Sequence, residues 1–224
     1  MTTSFNAELG ILDRVDGSAS YKFGATSLIC SVSGPIEAKA RQELPTSAAL
    51  EVTIRPDVGV SSTREKLTED KLKSVLGSVI STFLYPRQLI QVVVQILDAG
   101  EAPCYVVREL VGCINACYLA LIDAKVGISE SFYAKCVAIE QNTGKLILDP
   151  TDRDLTSSKS HHAVCFSLGN GKSKSLLYSE SFGQFTEEEL LKVLDFAAEA
   201  IEQENIGVRK VISEAVSNDY VWMS

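Results

Sequence analysis

Residues 105–124 are the segment that most constrains the fold of this chain. Apolar residues occupy nearly every position, and the only charged side chains belong to Arg108, Glu109 and Asp123. A helix that is apolar around its whole circumference must be covered by protein on more than one side. No apolar run reaches the ~18 residues that a membrane-spanning helix needs. The sequence therefore predicts a buried central helix and no membrane contact.

Strand patterns precede that helix. Residues 27–35 form a β-prone run closed by Gly-Pro, and residues 49–56 alternate apolar and polar side chains up to a proline. Residues 89–97 are almost entirely apolar, which is typical of a buried strand. These three runs predict a sheet on the N-terminal side of the central helix.

A helix is predicted between the last two of these strands. Ser61 and Ser62 offer hydroxyl groups for an N-cap, and Glu65 stands at the third position after Ser62, as in a capping box. Apolar residues then recur at helical spacing as far as Leu84. Pro86 predicts the end of this helix.

The second half of the chain repeats the first in weaker form. Residues 133–140 and 145–149 are predicted strands, and residues 163–168 and 176–181 are predicted to form a hairpin. A long helix is predicted from the acidic turn after Thr186 to about residue 216. This order of strands and helices predicts an α+β protein with helices packed on sheets, and no linker divides it.

Charge and cysteine content limit the possible functions. The net charge is −8, from 21 basic and 29 acidic residues, whereas a stand-alone nucleic-acid binder usually carries a basic stripe. Any RNA contact is therefore expected to use a few local cations or an assembly. The N-terminus lacks a signal-peptide pattern, and the six cysteines form no Cys-x-x-Cys pair. We expect an intracellular protein with small, buried thiols.

Short motifs along nearly the whole chain carry a resemblance to a known family. They are Asp-Gly-Ser-Ala-Ser-Tyr-Lys-Phe-Gly-Ala-Thr and Gly-Pro-Ile-Glu within 16–37, Arg-Glu-Lys at 64–66, Tyr-Pro-Arg at 85–87, Leu-Asp-Ala-Gly at 97–100, Asn-Ala-Cys-Tyr-Leu-Ala-Leu-Ile-Asp-Ala at 115–124, Leu-Asp-Pro-Thr at 148–151 and Phe-Thr-Glu-Glu-Glu-Leu at 185–190. Their order and spacing resemble the RNase PH family, and most closely its eukaryotic exosome subunits of the bacterial RNase PH type.

The resemblance implies a fold and its boundaries. The expected fold is the RNase PH fold, which is like domain 2 of ribosomal protein S5, with two pseudo-repeated β-α halves. A single RNase PH-type domain is expected over residues 5–216. Its first half would span residues 5–125 and its second half residues 133–216.

The resemblance also implies a phosphate site, which this sequence does not reproduce. Active family members cleave RNA with inorganic phosphate, held by the backbone and arginine of Gly-Gly-Thr-Arg-Thr-Ala-Ser at a helix start. Counting back without gaps from residues 121–124 puts Leu110 at the arginine, with Glu109 before it and Arg108 at a glycine. Arg108 is two positions away, a rotation of about 200° on a helix, so it is not expected to replace the arginine.

The second expected feature is a pair of acids six residues apart, used for metal binding or acid–base chemistry. The corresponding positions are Asp154 and Ser160. A lone aspartate cannot hold the divalent ion that two would hold, and a serine is not a general acid near pH 7. Residues 152–154 are otherwise expected to form a solvated loop. The prediction is therefore a non-catalytic protein with no metal and no cofactor.

Four cations are the candidates for RNA contact. Lys39, Arg41, Arg64 and Lys66 stand at or near positions where active relatives hold RNA phosphates. Such contacts would be independent of RNA sequence. An equally open alternative is that these are exposed cations on loops and at a helix start.

By resemblance, the expected function is that of a structural subunit of the RNA exosome core ring. It would help to frame the RNA channel and so support rRNA maturation and RNA degradation in the nucleus, nucleolus and cytoplasm. The implied partners are RNase PH-like ring subunits, cap subunits with S1 and KH domains, threading RNA and a separate hydrolytic nuclease. Two alternatives remain: a phosphate-dependent 3′-to-5′ exoribonuclease with a divergent active site, and a homodimeric nucleic-acid-binding protein outside the ring.

Overall fold

The structure is a computed structural model that describes residues 5–141 and 143–219. The main strands and helices follow one another in the order that the sequence predicts. The elements up to residue 123 are β1 (Phe5–Leu9), β2 (Gly17–Phe23), β3 (Thr26–Glu37), β4 (Ala49–Arg55), α1 (Thr63–Val79), a 3₁₀ turn (Thr82–Leu84), β5 (Gln88–Asp98) and α2 (Val107–Asp123). The later elements are β6 (Ser131–Glu140), β7 (Leu146–Leu148), α3 (Asp152–Thr156), β8 (Ser158–Gly169), β9 (Lys172–Gly183) and α4 (Glu187–Asp219).

The described strands form two sheets. The first has the order β1-β2-β3-β5-β4, and the second has the order β7-β6-β8-β9. Only β4 and β5 run parallel, because helix α1 carries the chain back between them. All other neighbouring strands are antiparallel. The predicted α+β class is confirmed.

Helix α2 is the centre of the molecule. Every residue from Val107 to Leu121 is buried. One side of the helix contacts β2 and β3 of the first sheet, and another contacts β6 and β8 of the second. The prediction that this helix packs on more than one side is confirmed. No helix in the described part of the chain is long and apolar enough to cross a membrane.

Helix α1 begins where the sequence predicts and ends earlier. Ser62 is the N-cap, and its side chain and that of Glu65 form the predicted capping box. The prediction that the helix continues towards Pro86 is wrong, because it ends at Val79. Ile80 takes an extended conformation and pairs with Ile128, a residue far away in the sequence. A local pattern of apolar residues cannot reveal such a pairing.

The six cysteines carry free thiols, and Cys104 alone among them is exposed. The other five lie in the core, so the prediction of mostly buried thiols is confirmed. The larger core cluster takes residues from both sheets and from α2, for example Leu28, Ile114 and Cys165. The start of α2 is thereby held in the crease between the two sheets.

Candidate functional site

A cleft opens where helix α2 begins, between the two sheets. It has a volume of about 510 Å³. Its lining comes from the β2–β3 turn, the segment after β5, the start of α2 and the segment after β7, and includes Gly24, Ala25, Gly100, Arg108, Asp149, Thr151, Asp152 and Arg153. Gly100 is required there, since it has a φ of +68° and a Cβ at this position would lie 2.6 Å from Thr26 Oγ1. This cleft is the candidate functional site.

Arg108 lies in the cleft with its guanidinium group already engaged. Nε donates to Thr26 Oγ1 at 3.0 Å, and Nη2 donates to the Phe23 carbonyl at 3.0 Å. Nη1 donates to the carbonyls of Pro150 at 2.6 Å and Asp149 at 3.4 Å. The side chain is buried and also lies over the Phe23 ring. Arg108 therefore ties the β2–β3 turn to the segment after β7 and has little donor capacity left for an anion.

A carboxylate of the chain itself occupies the N-terminal amides of α2. The two Glu101 oxygens accept hydrogen bonds from the backbone N–H groups of Arg108 at 3.2 Å and of Glu109 at 2.9 Å. Free N–H groups at a helix start attract anions, and here an internal anion satisfies two of them. Burial raises the pKa of Glu101 to about 7, an effect that these hydrogen bonds only partly oppose. Sequence reasoning overlooked Glu101, because it stands outside every expected motif.

Neither Glu109 nor Leu110 offers a side-chain hydrogen-bond donor to the cleft. The Glu109 carboxylate pairs with Arg64 Nη2 at 2.8 Å. Burial raises the pKa of Glu109, and the Arg64 guanidinium opposes part of that rise. Leu110 is buried in the main core. The position predicted to replace the family's arginine thus faces the core, and the one before it forms an ion pair with α1.

Asp149 is the carboxylate that the fold buries beside the cleft. Its Oδ2 contacts Lys135 Nζ at 2.5 Å, and the same ammonium group contacts Glu204 Oε2 at 2.5 Å. Burial lowers the pKa of Lys135, but the two carboxylates outweigh it and the pKa is raised, so Lys135 stays charged. Asp149 also has a φ of +49°, which is unusual for a residue other than glycine. A lysine inside the apolar run 132–139 is the signal that could have revealed this buried ion pair.

The structure does not bring Asp154 and Ser160 together in the cleft. Asp154 caps helix α3, where its Oδ2 accepts from the backbone N–H and the hydroxyl of Thr151 at 2.9 and 2.7 Å. The expectation of a loop at residues 152–154 is wrong, since this capping box starts a short helix. Ser160 is buried in β8, within 3.0 Å of His162 Nε2. No cluster of three metal-ligating side chains occurs among the residues that the structure describes.

The four candidate RNA-contacting cations fall into two separate groups. Lys39 and Arg41 are exposed on the turn before β4, whereas Arg64 and Lys66 follow β4 at the start of α1. The whole of strand β4 lies between the two groups along the chain. Arg64 donates to the Tyr105 carbonyl as well as to Glu109, and Lys66 pairs with Glu69. Of these four side chains, those of Lys39 and Arg41 make no hydrogen bond or ion pair with the part of the chain that the structure describes.

The comparisons with known proteins cover nearly the whole chain. Residues 3–127 match the sequence profile of domain 1 of the 3′ exoribonuclease family, RNase PH, and residues 120–200 match that of domain 2. The exosome complex component RRP46 of Saccharomyces cerevisiae is 43% identical over 217 residues, which are 96% of this chain and 97% of that protein. The exosome complex component rrp46 of Schizosaccharomyces pombe is 33% identical over 208 residues, 92% of this chain and 88% of that one.

Solved structures share the fold. The crystal structure of Rrp46 from rice, Oryza sativa, superposes with a TM-score of 0.86. The match covers 95% of this chain and 96% of the rice chain, at 24% sequence identity. At that identity, the likeness shows the fold alone.

Proposed function

Because the chain belongs to the RNase PH family of 3′ exoribonucleases, we propose that it is a non-catalytic subunit of the RNA exosome core ring. Its relatives in two yeasts carry the name exosome complex component and align with it over most of their length. In this role the chain helps to frame the channel through which RNA is threaded. It thereby supports 3′-to-5′ processing and degradation of RNA, including rRNA maturation.

The proposed partners follow from this role. Other RNase PH-like subunits flank the chain in the ring, and proteins with S1 and KH domains cap it. A separate hydrolytic nuclease cuts the RNA, in the nucleus, the nucleolus and the cytoplasm. Lys39 and Arg41 are the cations best suited to touch RNA phosphates, since both are exposed and neither has an internal partner in the described chain.

The non-catalytic assignment rests on one observation: the Glu101 carboxylate accepts hydrogen bonds from two backbone N–H groups at the start of α2. An attacking phosphate needs donors at the helix start, and Glu101 has taken two of them. Arg108, the nearest guanidinium, is bonded to protein oxygens. The hydrogen-bond donors that phosphorolysis needs are therefore already used within the chain.

A phosphorolysis assay tests this assignment. The purified chain is incubated with labelled single-stranded RNA, inorganic phosphate and magnesium, beside an active RNase PH as positive control. We expect no nucleoside diphosphates from the chain. Phosphate-dependent nucleoside diphosphates that disappear in Asp149→Asn or Asp154→Asn would show that the chain is an enzyme with a divergent site.

Reconstitution tests ring membership separately. The chain is co-expressed with RNase PH-like partner subunits, and native mass spectrometry measures the stoichiometry of the complexes. One copy per six-membered ring is the expected result. Recovery only as a free homodimer, with no mixed complex, would favour the alternative of a nucleic-acid-binding protein outside the ring.

A further inference from the structure

Strand β4 forms an edge of the first sheet, and helix α1 runs back along this edge. At one end, the backbone N–H of Ile54 donates to Glu69 Oε1 at 2.9 Å, and Ser61 Oγ donates to the Ile54 carbonyl at 2.9 Å. At the other end, the backbone N–H of Ala48 donates to the Thr82 carbonyl at 2.9 Å. Both ends of the edge are therefore closed by the protein itself.

The middle of the edge is open. Backbone groups alternate between the two sides of a strand, and Ala48 and Ile54 both present theirs away from β5. Because the register with β5 is continuous from Ala49 to Arg55, Leu50 and Val52 also present their N–H and C=O groups outwards. No residue of the described chain bonds to these four groups on that side.

Helix α1 leaves space opposite these two residues. Lys73 and Gly77 follow Glu69 at intervals of four residues, so all three lie on one face of the helix. A Cβ at Gly77 would meet no atom within 4 Å. The resulting slot has a volume of about 670 Å³. Its lining combines the strand edge with α1 and the preceding loop, and includes Leu44, Ala48, Leu50, Glu51, Val52, Glu69, Asp70, Lys73, Gly77 and Thr82.

The chemistry of the slot matches a polypeptide backbone better than a nucleic acid. Two donors and two acceptors lie in a row at strand spacing, which is the pattern that an added strand satisfies. The exposed Asp70 and the nearby Glu51 would repel a phosphate and attract a cation. Lys73 is the one cation in the lining of the slot, so negative charge prevails there. Leu44, which is 46% exposed, offers an apolar contact at the open side.

We propose that the slot between β4 and α1 receives a short extended segment of a partner protein. The segment pairs its backbone with Leu50 and Val52 and places a Lys or Arg side chain beside Asp70. Because the edge is closed at Ala48 and Ile54, pairing is limited to about three residues of the partner. This inference concerns a surface away from the cleft and does not depend on the chain's catalytic state.

Hydrogen exchange of the full-length chain is the first test, and it needs no ligand. The amides of Leu50 and Val52 face the slot, whereas those of Glu51 and Thr53 bond to β5. We expect the first pair to exchange at least about 100-fold faster than the second, since only the second is protected by the ladder. Equal protection of all four amides would overturn the proposal. Protection of Leu50 and Val52 that grows with protein concentration would overturn it too, because the occupant would then be a second copy.

Peptide binding is the second test. The probe is a positional-scanning library of acetylated hexapeptide amides, and binding to the full-length chain is followed by fluorescence anisotropy. We expect selection of peptides that alternate Lys or Arg with apolar residues. Methylation of the peptide nitrogen that faces Leu50 should weaken the selected peptide at least about tenfold, since it removes a strand hydrogen bond.

Two variants and a matched control identify the surface. Gly77→Trp fills the slot, and Leu50→Pro removes an outward N–H that the ladder with β5 does not use. Each should weaken the peptide at least about tenfold, whereas Gly77→Ala, which leaves the slot open, should change binding less than about twofold. No binding by any library member, or equal binding by wild type and Gly77→Trp, would overturn the proposal.

Discussion

Replacing Arg108 by methionine removes the tie between the two sheets while keeping most of the apolar stem. The guanidinium donates to Phe23 O, Thr26 Oγ1, Asp149 O and Pro150 O. Each buried acceptor that loses a hydrogen bond from a charged donor costs about 1.5–3 kcal/mol. Relief from burying the positive charge offsets part of that sum. We therefore expect Arg108→Met to lower the free energy of unfolding by about 3–5 kcal/mol.

Urea denaturation followed by far-ultraviolet circular dichroism measures this loss. Arg41→Met is the matched control, because Arg41 is exposed and bonds to no described residue, and it should change the free energy of unfolding by less than about 0.5 kcal/mol. Arg108→Lys keeps the charge but not the planar guanidinium group, so it should lower the free energy of unfolding by an intermediate amount. A cost below about 1 kcal/mol for Arg108→Met would refute the structural role. Phosphate binding by the wild type that Arg108→Met abolishes would refute it as well.

Three further predictions concern other charges and a cap. Burial raises the pKa of Glu101 to about 7, so the protonated carboxyl group favours the folded chain. Its contribution to the free energy of unfolding is complete below about pH 4.5 and is lost as the pH rises through 7. Urea titrations of the wild type should thus show a loss of up to about 3 kcal/mol between pH 5 and 8 that Glu101→Gln does not show. Lys135→Met leaves Asp149 and Glu204 buried without their cation, so it should lower the free energy of unfolding by about 3–5 kcal/mol in the same assay at pH 7. Adding Asp149→Asn should recover part of this loss. Ser62→Ala removes the α1 cap and should cost about 1 kcal/mol in a thermal melt; a melt unchanged from wild type would contradict that cap's contribution.

The features that could be predicted from the sequence are those with local causes. The capping box of Ser62 and Glu65 lies within four residues, so the start of α1 is visible in the sequence. The apolar circumference of residues 107–121 is likewise a property of one segment. The end of α1 is different, because it depends on Ile80 pairing with Ile128 across the fold. Propensity and periodicity carry no information about that contact.

The composition of the cleft could be predicted less well than the fold. Motif positions drew attention to Glu109, Leu110, Asp154 and Ser160, yet none of these supplies the groups that fill the cleft. Glu101 reaches the helix amides only because the segment between β5 and α2 folds back over the helix start. That path depends on tertiary packing, which a count of positions from residue 124 cannot describe.

Satisfied donors are stronger evidence for an inert site than missing residues. A substitution such as leucine for arginine can be compensated by a side chain from elsewhere, and Arg108 does lie in the cleft. A backbone N–H that already donates to Glu101 can bind a phosphate only if the Glu101 side chain moves away. Because Glu101 is part of the chain, it competes for this N–H at every phosphate concentration. Arg108 is restrained in the same way, since moving it toward a ligand would leave the carbonyls of Phe23 and Pro150 without their donor. The polar groups at the start of α2 are therefore used within the chain: Glu101 accepts from the helix amides, and Arg108 ties the β2–β3 turn to the segment after β7.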